Sequence, residues 1–384
     1  MSIVDGRVAG KIKDFQCQRY LSERQQRRLD PFVHYAVAAA SMAIEDSLLD
    51  RDQLKGYAII IGTSRAGITH LSEALKNINS THRGTITTDA AKRVSSYLMS
   101  ATTAGMAASY LSQLFGTRGY SLGISNACAS GANAVGEAFR LIADGYADVA
   151  ICGGTEAPLC DVCFMGYEAC RAMSRSSLAR SSMQGDALSA SRPFDLKRDG
   201  FVLSEGAAVL VLEEYNRAHR RSARIYAEIA AYANNSDGYD QVRPHSAGQA
   251  RAMLDAISSA GLSANDVDHV NAHGSSTQLG DISEAAAIKE VFRERLAELP
   301  VTANKSSTGH MLAASGAFEL AVSAMTIGEG IIPPTINVNE IDPECPINLV
   351  SDYVKIPVKT VLSNSFGFGG VNAVMILKKC EDGE

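Results

Sequence analysis

Gly119-Tyr-Ser-Leu-Gly-Ile-Ser-Asn-Ala-Cys-Ala-Ser-Gly-Ala-Asn-Ala134 decides how the rest of the chain is read: a β-like run breaks on small residues at Cys128, and a long amphipathic helix follows. This is the build of a nucleophile elbow. A helix that starts at Cys128 aims its unpaired N–H groups at the sulfur and stabilises the thiolate, the reactive form. The small neighbours Ala127, Ala129, Ser130 and Gly131 let the backbone and a substrate carbonyl come close. A free cysteine taken alone is more often inert core matter, so the case rests on what accompanies it.

Two histidines occupy turns of the same build. His273 lies in Val270-Asn-Ala-His-Gly-Ser-Ser-Thr-Gln-Leu-Gly-Asp281, and His310 in Val301-Thr-Ala-Asn-Lys-Ser-Ser-Thr-Gly-His-Met-Leu-Ala-Ala-Ser-Gly316. A cysteine and two histidines converging at strand ends suit acyl-thioester chemistry. The thiolate takes the acyl group, and two imidazoles donate hydrogen bonds to an oxyanion that forms elsewhere.

Outward from these turns the chain alternates. Strand-like runs fall near 57–62, 119–126, 148–154, 207–213, 225–233, 268–273, 300–304, 359–365 and 371–378, and helix-like runs at 31–49, 97–115, 128–143, 247–260, 279–295 and 310–327. That alternation predicts a layered α/β fold with helices covering buried sheets. Cys128 and His310 each open a helix rich in small residues after a strand, one in each half, so two related halves are expected. Their join falls in the polar stretch Glu213-Glu-Tyr-Asn-Arg-Ala-His-Arg-Arg-Ser-Ala-Arg224. The domains read as residues 1–220, carrying Cys128, and 221–384, carrying His273, Lys305, His310 and Phe366.

The 384 residues are 46% hydrophobic and 20% charged, ordinary for a globular protein of one large or two medium domains. A net charge of −6 gives no general attraction to nucleic acid. No apolar run is long enough to span a bilayer, and Met1-Ser-Ile-Val-Asp-Gly-Arg has no signal-peptide core, so a cytoplasmic location is expected, with the eight cysteines reduced. Cys152, Cys160, Cys163 and Cys170 cluster, but their spacings fit no standard zinc pattern and no metal is expected; they read as small apolar side chains packing beside the active-site helix.

Taken together, the motifs resemble those of the β-ketoacyl-acyl-carrier-protein synthases, the ketosynthases of fatty-acid and polyketide assembly. The matching segments, in order, are Asp30-Pro-Phe-Val-His-Tyr-Ala, Asn126-Ala-Cys-Ala-Ser-Gly, Gly153-Gly-Thr-Glu, Ser191-Arg-Pro-Phe-Asp-Leu-Lys-Arg-Asp-Gly-Phe-Val, Ser204-Glu-Gly-Ala, Asn271-Ala-His-Gly, Lys305-Ser-Ser-Thr-Gly-His and Ser363-Asn-Ser-Phe-Gly-Phe-Gly-Gly370. The resemblance implies a thiolase-like fold, two related halves in α-β-α-β-α layers. It also implies a decarboxylative Claisen condensation of an acyl thioester with malonyl-acyl carrier protein, with no cofactor, on a homodimer or a heterodimer with a second ketosynthase-like subunit. The alternatives are a non-catalytic partner subunit resembling a chain-length factor, and a malonyl-acyl-carrier-protein decarboxylase.

By the same resemblance, Cys128 is the acylated nucleophile. His273 and His310 assist decarboxylation and stabilise the enolate oxygen, one of them also handling a proton or an attacking water. Lys305 orients this network and Glu319 keeps Lys305 in place. Phe366 is the gate, and its N–H forms the oxyanion hole with that of Cys128. Ser275 and Thr277 hold the phosphopantetheine arm. Arg65 stands near the end of the acyl pocket where long-chain synthases carry an apolar residue, which implies a shorter or more polar pocket unless the arginine pairs across the interface. Arg24, Arg27 and Arg28, sharing one face if 22–29 is helical, dock the acidic carrier protein, with Arg171, Arg175 and Arg180 a second, weaker patch. One departure stands out. Family members carry a strand and helix ahead of the segment matched by Val8-Ala-Gly-Lys-Ile-Lys-Asp-Phe15. The N-terminal half is therefore expected to lack its first strand, taken as central in its sheet, with unpaired backbone groups costing about 1 to 3 kcal/mol each.

Overall fold

A computed structural model describes residues 1–4, 7–79, 94–175 and 187–380. Buried apolar runs set the first sheet. In β3 (Ala58–Gly62) and β5 (Val149–Glu156) every residue is buried, as expected of strands covered on both faces. With β4 (Ser121–Ile124) and β6 (Gly206–Glu213) they form a sheet in the order β4-β3-β5-β6, in which only β6 runs antiparallel. The second sheet, β11-β9-β8-β13-β14-β7, repeats that pattern. Its central strands are β8 (His269–Asn271), β9 (Pro300–Thr302), β13 (Thr360–Gly367) and β14 (Val371–Lys378), flanked by β11 (Asn348–Leu349) and β7 (Glu228–Ser236). β9, β8 and β13 pair in parallel, and β14 pairs antiparallel to both β13 and β7.

The repeat corrects the expected position of the missing strand. β4, β3, β5 and β6 correspond to β9, β8, β13 and β14, so the strand that the described residues leave without a counterpart is the one matching β7, on the outer edge of β6. The first sheet has no gap at its centre, and the backbone penalty expected there does not arise.

Five layers follow from three apolar clusters. One side of the first sheet is covered by α2 (Pro31–Ser47) and α5 (Met106–Phe115), through Phe32, Val33, Ala36, Leu111 and Ile59. Between the sheets lie α6 (Ser130–Ala143) and α12 (Ala313–Glu329), with Val135, Ala138, Leu320 and Val361 in one cluster. The far face of the second sheet is closed by α9 (Ser246–Ser259) and α10 (Gln278–Phe292), through Met253, Ile257, Ile288 and Val374. The α2 start is fixed by its sequence: Asp30 caps it, accepting from Phe32 N–H, and Pro31 takes the position where no N–H is needed.

Several expected elements shift. The helix-like run 97–115 divides into α4 (Leu98–Ala101) and α5, and α3 (Ile68–Asn79) and α7 (Asp161–Ala169) were not anticipated. A hairpin, β1 (Ser2–Val4) with β2 (Arg7–Ala9), opens the chain. α6 starts at Ser130, two residues after Cys128, and α12 starts at Ala313, three after His310. The structural counterpart of the nucleophile turn in the second half is therefore Leu312-Ala313, not His310; Ala127 and Leu312 share the same left-handed φ of 47°. The helix expected over 22–29 is a single turn, α1 (Glu23–Gln26).

The starts of α6 and α12 meet at close range. A Cβ on Gly131 would lie 2.2 Å from Ala313 O, and one on Gly154 of β5 2.3 Å from the same oxygen. Only glycine permits that approach, which brings the Cys128 turn and the His310 turn to one centre.

Candidate active site

At that centre Cys128 sits on an elbow built by its neighbours. Ala127 adopts the left-handed conformation. Ser130 Oγ closes the turn, accepting from Asn126 N–H at 2.8 Å and donating to Ala127 O at 2.6 Å. Cys128, His273, His310 and Phe366 line one pocket, with Ser275 and Thr277 further along its wall. The packed protein around the sulfur pushes the Cys128 thiol up to about 11, against the pull of Lys305, of Arg65 and of the Phe368 N–H, which hydrogen-bonds to it. The expected effect of a helix starting at Cys128 is thus replaced by two cations and one backbone donor.

That donor corrects a second expectation. Phe366 lies inside β13, paired with Asn372 across the ladder, and presents its ring 5.9 Å from the His273 ring. Phe368, in the turn before β14, carries the N–H that reaches the sulfur, and its half-buried ring packs against the cluster that includes Phe164 and Leu312. Gly369 and Gly370, which follow, both have positive φ.

The two imidazoles stand edge to face, centroids 5.4 Å apart. Lys305, the first residue of α11 (Lys305–Thr308), is buried. Its Nζ donates to His273 O at 2.5 Å and to Glu319 Oε1 at 2.5 Å, and lies 3.3 Å from His273 Nδ1. An ammonium only donates, so His273 Nδ1 accepts and its proton resides on Nε2. His310 Nδ1 lies 3.2 Å from Ser315 Oγ, which already accepts from Met311 N–H at 3.0 Å. The buried hydroxyl's own proton points to His310 Nδ1, and this ring too carries its proton on Nε2. Burial and the Lys305 charge hold both histidines well below the usual imidazole value. Two neutral rings therefore present N–H donors to the pocket.

Residues outside the expected set hold these groups. Glu284 of α10 accepts from His273 N–H and Gly274 N–H, each at 2.8 Å, and from the Asn364 amide at 2.9 Å. Asp281, one turn earlier, accepts from Phe194 and Ser276 N–H and pairs with the fully buried Arg198 at 3.3 Å. The signal for this pair was in the sequence: two acids three apart on the buried face of the helix that follows the His273 turn. Glu156, at the end of β5, accepts from Ser64 N–H and Oγ and from Arg65 N–H.

Arg65 leaves the loop held by Glu156. Its Nη1 donates to Ser64 O at 2.8 Å and its guanidinium lies 5.9 Å from the Tyr167 ring centre, with no ion pair to a described carboxylate. Ser275 Oγ and Thr277 Oγ1 lie 2.9 Å apart. Arg171 and Arg243 stand at the pocket rim. Of the first arginine set, Arg24 and Arg27 are exposed, Arg27 paired with Glu23 at 3.6 Å, while Arg28 turns onto the Tyr97 ring at 4.8 Å, so the three do not form one open face. Arg175 is exposed, and Arg180 lies outside the described residues. Among the described residues no three His, Cys, Asp or Glu side chains are placed to hold a metal ion, and no helix is long and apolar enough to cross a membrane.

Five α-β-α-β-α layers with two repeated halves and a thiol elbow at their centre define a thiolase-like condensing-enzyme architecture. Two family models match the chain, the N-terminal domain of β-ketoacyl synthase over residues 3–218 and its C-terminal domain over 226–339. The 3-oxoacyl-[acyl-carrier-protein] synthase 2 of a Synechocystis strain is 38% identical over 379 residues, 97% of this chain and 87% of that protein. Its namesake in Staphylococcus aureus is 37% identical over 97% of this chain and 88% of that protein. Among solved structures, the ketosynthase of a type II polyketide system, AntDE with the acyl-carrier protein AntF, superposes with a TM-score of 0.87 at 32% identity, over 98% of this chain and 89% of that one. The ishigamide ketosynthase/chain length factor gives a TM-score of 0.87 at 30% identity, over 97% and 88%. The chain belongs to the β-ketoacyl synthase family, whose members are acyltransferases.

Proposed function

We propose that the protein is a 3-oxoacyl-acyl-carrier-protein synthase of fatty-acid or type II polyketide biosynthesis, acting in the cytoplasm. The observation that carries this reading is that His273 and His310 line one pocket with Cys128 while Lys305 and Ser315 occupy their Nδ1 atoms, which leaves Nε2–H as the donor of each ring. Two fixed donors with no charge of their own match an enolate oxygen that acquires charge only during the reaction.

In the first step the carrier-bound acyl carbonyl is attacked by the Cys128 sulfur. A new C–S bond forms, the old one breaks, and the Cys128 proton leaves with the pantetheine thiol. The N–H groups of Cys128 and Phe368 hold the tetrahedral oxyanion. In the second, malonyl-carrier loses carbon dioxide, and the enolate oxygen rests between His273 and His310. The enolate carbon attacks the Cys128 thioester, a C–C bond forms, and the sulfur departs to be reprotonated. Lys305 orients His273 through Nδ1 and its carbonyl, and Glu319 anchors Lys305. Phe368, followed by two glycines of positive φ, is the side chain suited to gate the acyl side; Phe366 packs the histidine. Ser275 and Thr277 line the arm's path, and Arg171 and Arg243 at the rim suit its phosphate, while Arg24 and Arg27 suit an acidic carrier protein. Arg65, half-buried beside the nucleophile, favours short or oxygenated acyl chains. The halves, 1–220 and 221–384, contribute the thiol and the imidazoles respectively. The outer edge of β4, partly exposed, suits pairing with a second ketosynthase-like subunit, either a copy of this chain or a distinct partner.

Intact-protein mass after incubation with acyl carrier proteins of different acyl chains tests the reading. An acyl increment that disappears in Cys128→Ala supports it. No increment with any chain, on a folded protein, replaces it with the partner-subunit reading; release of carbon dioxide from malonyl-carrier without an increment replaces it with the decarboxylase reading.

A further inference from the structure

Cys160-Asp161-Val162-Cys163 has no part in the condensation, yet its geometry is not that of inert core thiols. Cys160 is the N-cap of the nine-residue α7, in extended conformation with φ −136° and ψ 159°, and Cys163 lies in its first turn. This places two sulfurs side by side at a helix N-terminus, the spacing and position used by dithiol redox sites. Each thiol is a hydrogen-bonding partner of the other.

The surroundings distinguish the two sulfurs. The Cys163 thiol, the N–H groups of Cys163 and Val162 and the Ser72 hydroxyl of α3 gather on Cys160 and hold its thiol below the usual cysteine value. Cys163, facing that sulfur from the inner side, is pushed up by the Cys160 thiol and by burial. Cys160, the N-cap, stands at the positive end of α7 and its thiol donates to Ile68 O at 4.0 Å, so it is the sulfur placed to attack, and Cys163, inside the first turn, is the one placed to resolve. Cys152 makes a useful contrast: it is buried in β5, and burial alone pushes it up.

Access and consequence follow from the placement of α7. Its outer face is open, with Val162 42% and Met165 55% exposed, and the two cysteines beneath it keep 8% and 5% of their surface. Its inner face packs Cys160, Cys163, Phe164 and Tyr167 into the cluster against which Cys128 rests. Tyr167, one turn beyond Cys163, lines the active-site pocket.

We propose that Cys160 and Cys163 form a second reactive site, a dithiol that is oxidised to a reversible intramolecular disulfide by hydroperoxides. The Cys160 sulfur attacks the peroxide oxygen; an S–O bond forms, the O–O bond breaks, and an alcohol or water leaves. The Cys163 sulfur then attacks the Cys160 sulfenic acid, forming the S–S bond and releasing water. Two thiols lose two electrons in all, and one peroxide is reduced. The site does not depend on the condensing reaction.

The test uses the full chain carrying Cys128→Ser, which removes the proposed nucleophile, titrated with hydrogen peroxide and followed by intact mass and by mapping of alkylated peptides. The expected result is loss of two hydrogen atoms, located to the peptide with residues 160–163 and restored by dithiothreitol. In Cys163→Ala the reaction halts at a Cys160 sulfenic acid trapped by dimedone, and in Cys160→Ala no disulfide forms. The wild-type map stands even if a variant misfolds. Cys160 and Cys163 both remaining free to alkylate, after peroxide has oxidised the exposed Cys170, would overturn the proposal, as would a disulfide mapped to any other pair.

Discussion

At the scale of single residues, the site is a set of groups whose protonation is set by what surrounds them. Cys128 rests as a thiol, because burial raises it to about 11 while Lys305 and Arg65 pull the other way. Its alkylation by iodoacetamide is expected to accelerate with pH through pH 8 to 10. In Arg65→Ile the rate at pH 8 should fall about three- to tenfold, since half to one pKa unit is a reasonable share for one nearby cation. An unchanged rate would place the arginine's field elsewhere. Ser315→Ala removes the donor that fixes His310 with its proton on Nε2. The decarboxylation rate is expected to fall about 10²-fold, the usual worth of a well-placed proton donor, with acylation of Cys128 little changed. Glu319 links the site to stability. Burial raises its carboxyl from 4.5 to about 7 despite Lys305, so between those values the folded state holds a proton that the unfolded state releases. The sign is then fixed: this group makes the protein less stable as pH rises from 4.5 to 7, and more stable as it falls. Glu319→Gln should flatten the urea-unfolding free energy across that window relative to wild type. Asp281, also raised to about 7, still contributes in both proteins, so their difference isolates Glu319. The side chains gathered at the proposed site, Cys128, His273, His310 and Lys305, were legible in the sequence because the proposed chemistry requires those residue types in recognisable turns. Glu284 was passed over although its spacing from Asp281 was visible, whereas Ser315 and Phe368 were not legible, because they act on a ring nitrogen or through their own backbone. Each of these tasks leaves little trace in residue type.

At the scale of elements, the proposed catalytic centre is the place where the first turns of α6 and α12 touch. Gly131→Ala would set a methyl 2.2 Å from Ala313 O, a backbone atom that cannot yield without moving the helix. A loss of about 2 kcal/mol or more is expected, together with lower acylation activity as the Cys128 turn retreats from His310. Gly166→Ala in α7 is the control: its new methyl meets nothing within 4 Å, and helix propensity predicts a gain of about 1 kcal/mol. Thermal melts of both variants, with acylation assays, decide the point. The long strands were legible as continuous apolar runs, and α2 through its Asp30-Pro31 start. The α3 and α7 helices were missed: the cysteines of α7 were read for their side chains, as small apolar packing, and not for the helix that carries them. The start of α6 was placed two residues early, since small residues continue the helical pattern back into the elbow without adopting its conformation.

At the scale of the whole molecule, the two halves share one topology and differ at one edge, and that difference is measurable. β14 is paired on both sides, with β13 and with β7, whereas among the described residues β6 pairs only with β5. Glu214 N–H donates to Asp148 O, and the alternation of an antiparallel ladder then turns the N–H groups of Ala207, Val209, Val211 and Glu213 outward, where they have no described backbone partner. The side chains along this edge agree: residues 207 to 213 are all partly exposed, although most are apolar, while Asn372 to Leu377 of β14 are buried. The halves thus serve as controls for each other in a hydrogen-exchange experiment. The outward amides of β6 are expected to exchange about 10²-fold or more faster than the amides of β14, with the inward amides of β6 protected as strongly as those of β5. The turns of the proposed site sit at the ends of β4 and β8 and at the start of α12, away from that edge. Opening of β6 should therefore leave the Cys128 alkylation rate untouched at urea concentrations where β6 exchange has already quickened. Equal protection on β6 and β14 would mean that the outer edge of β6 is covered, and that the two sheets are closer in construction than their strand orders imply.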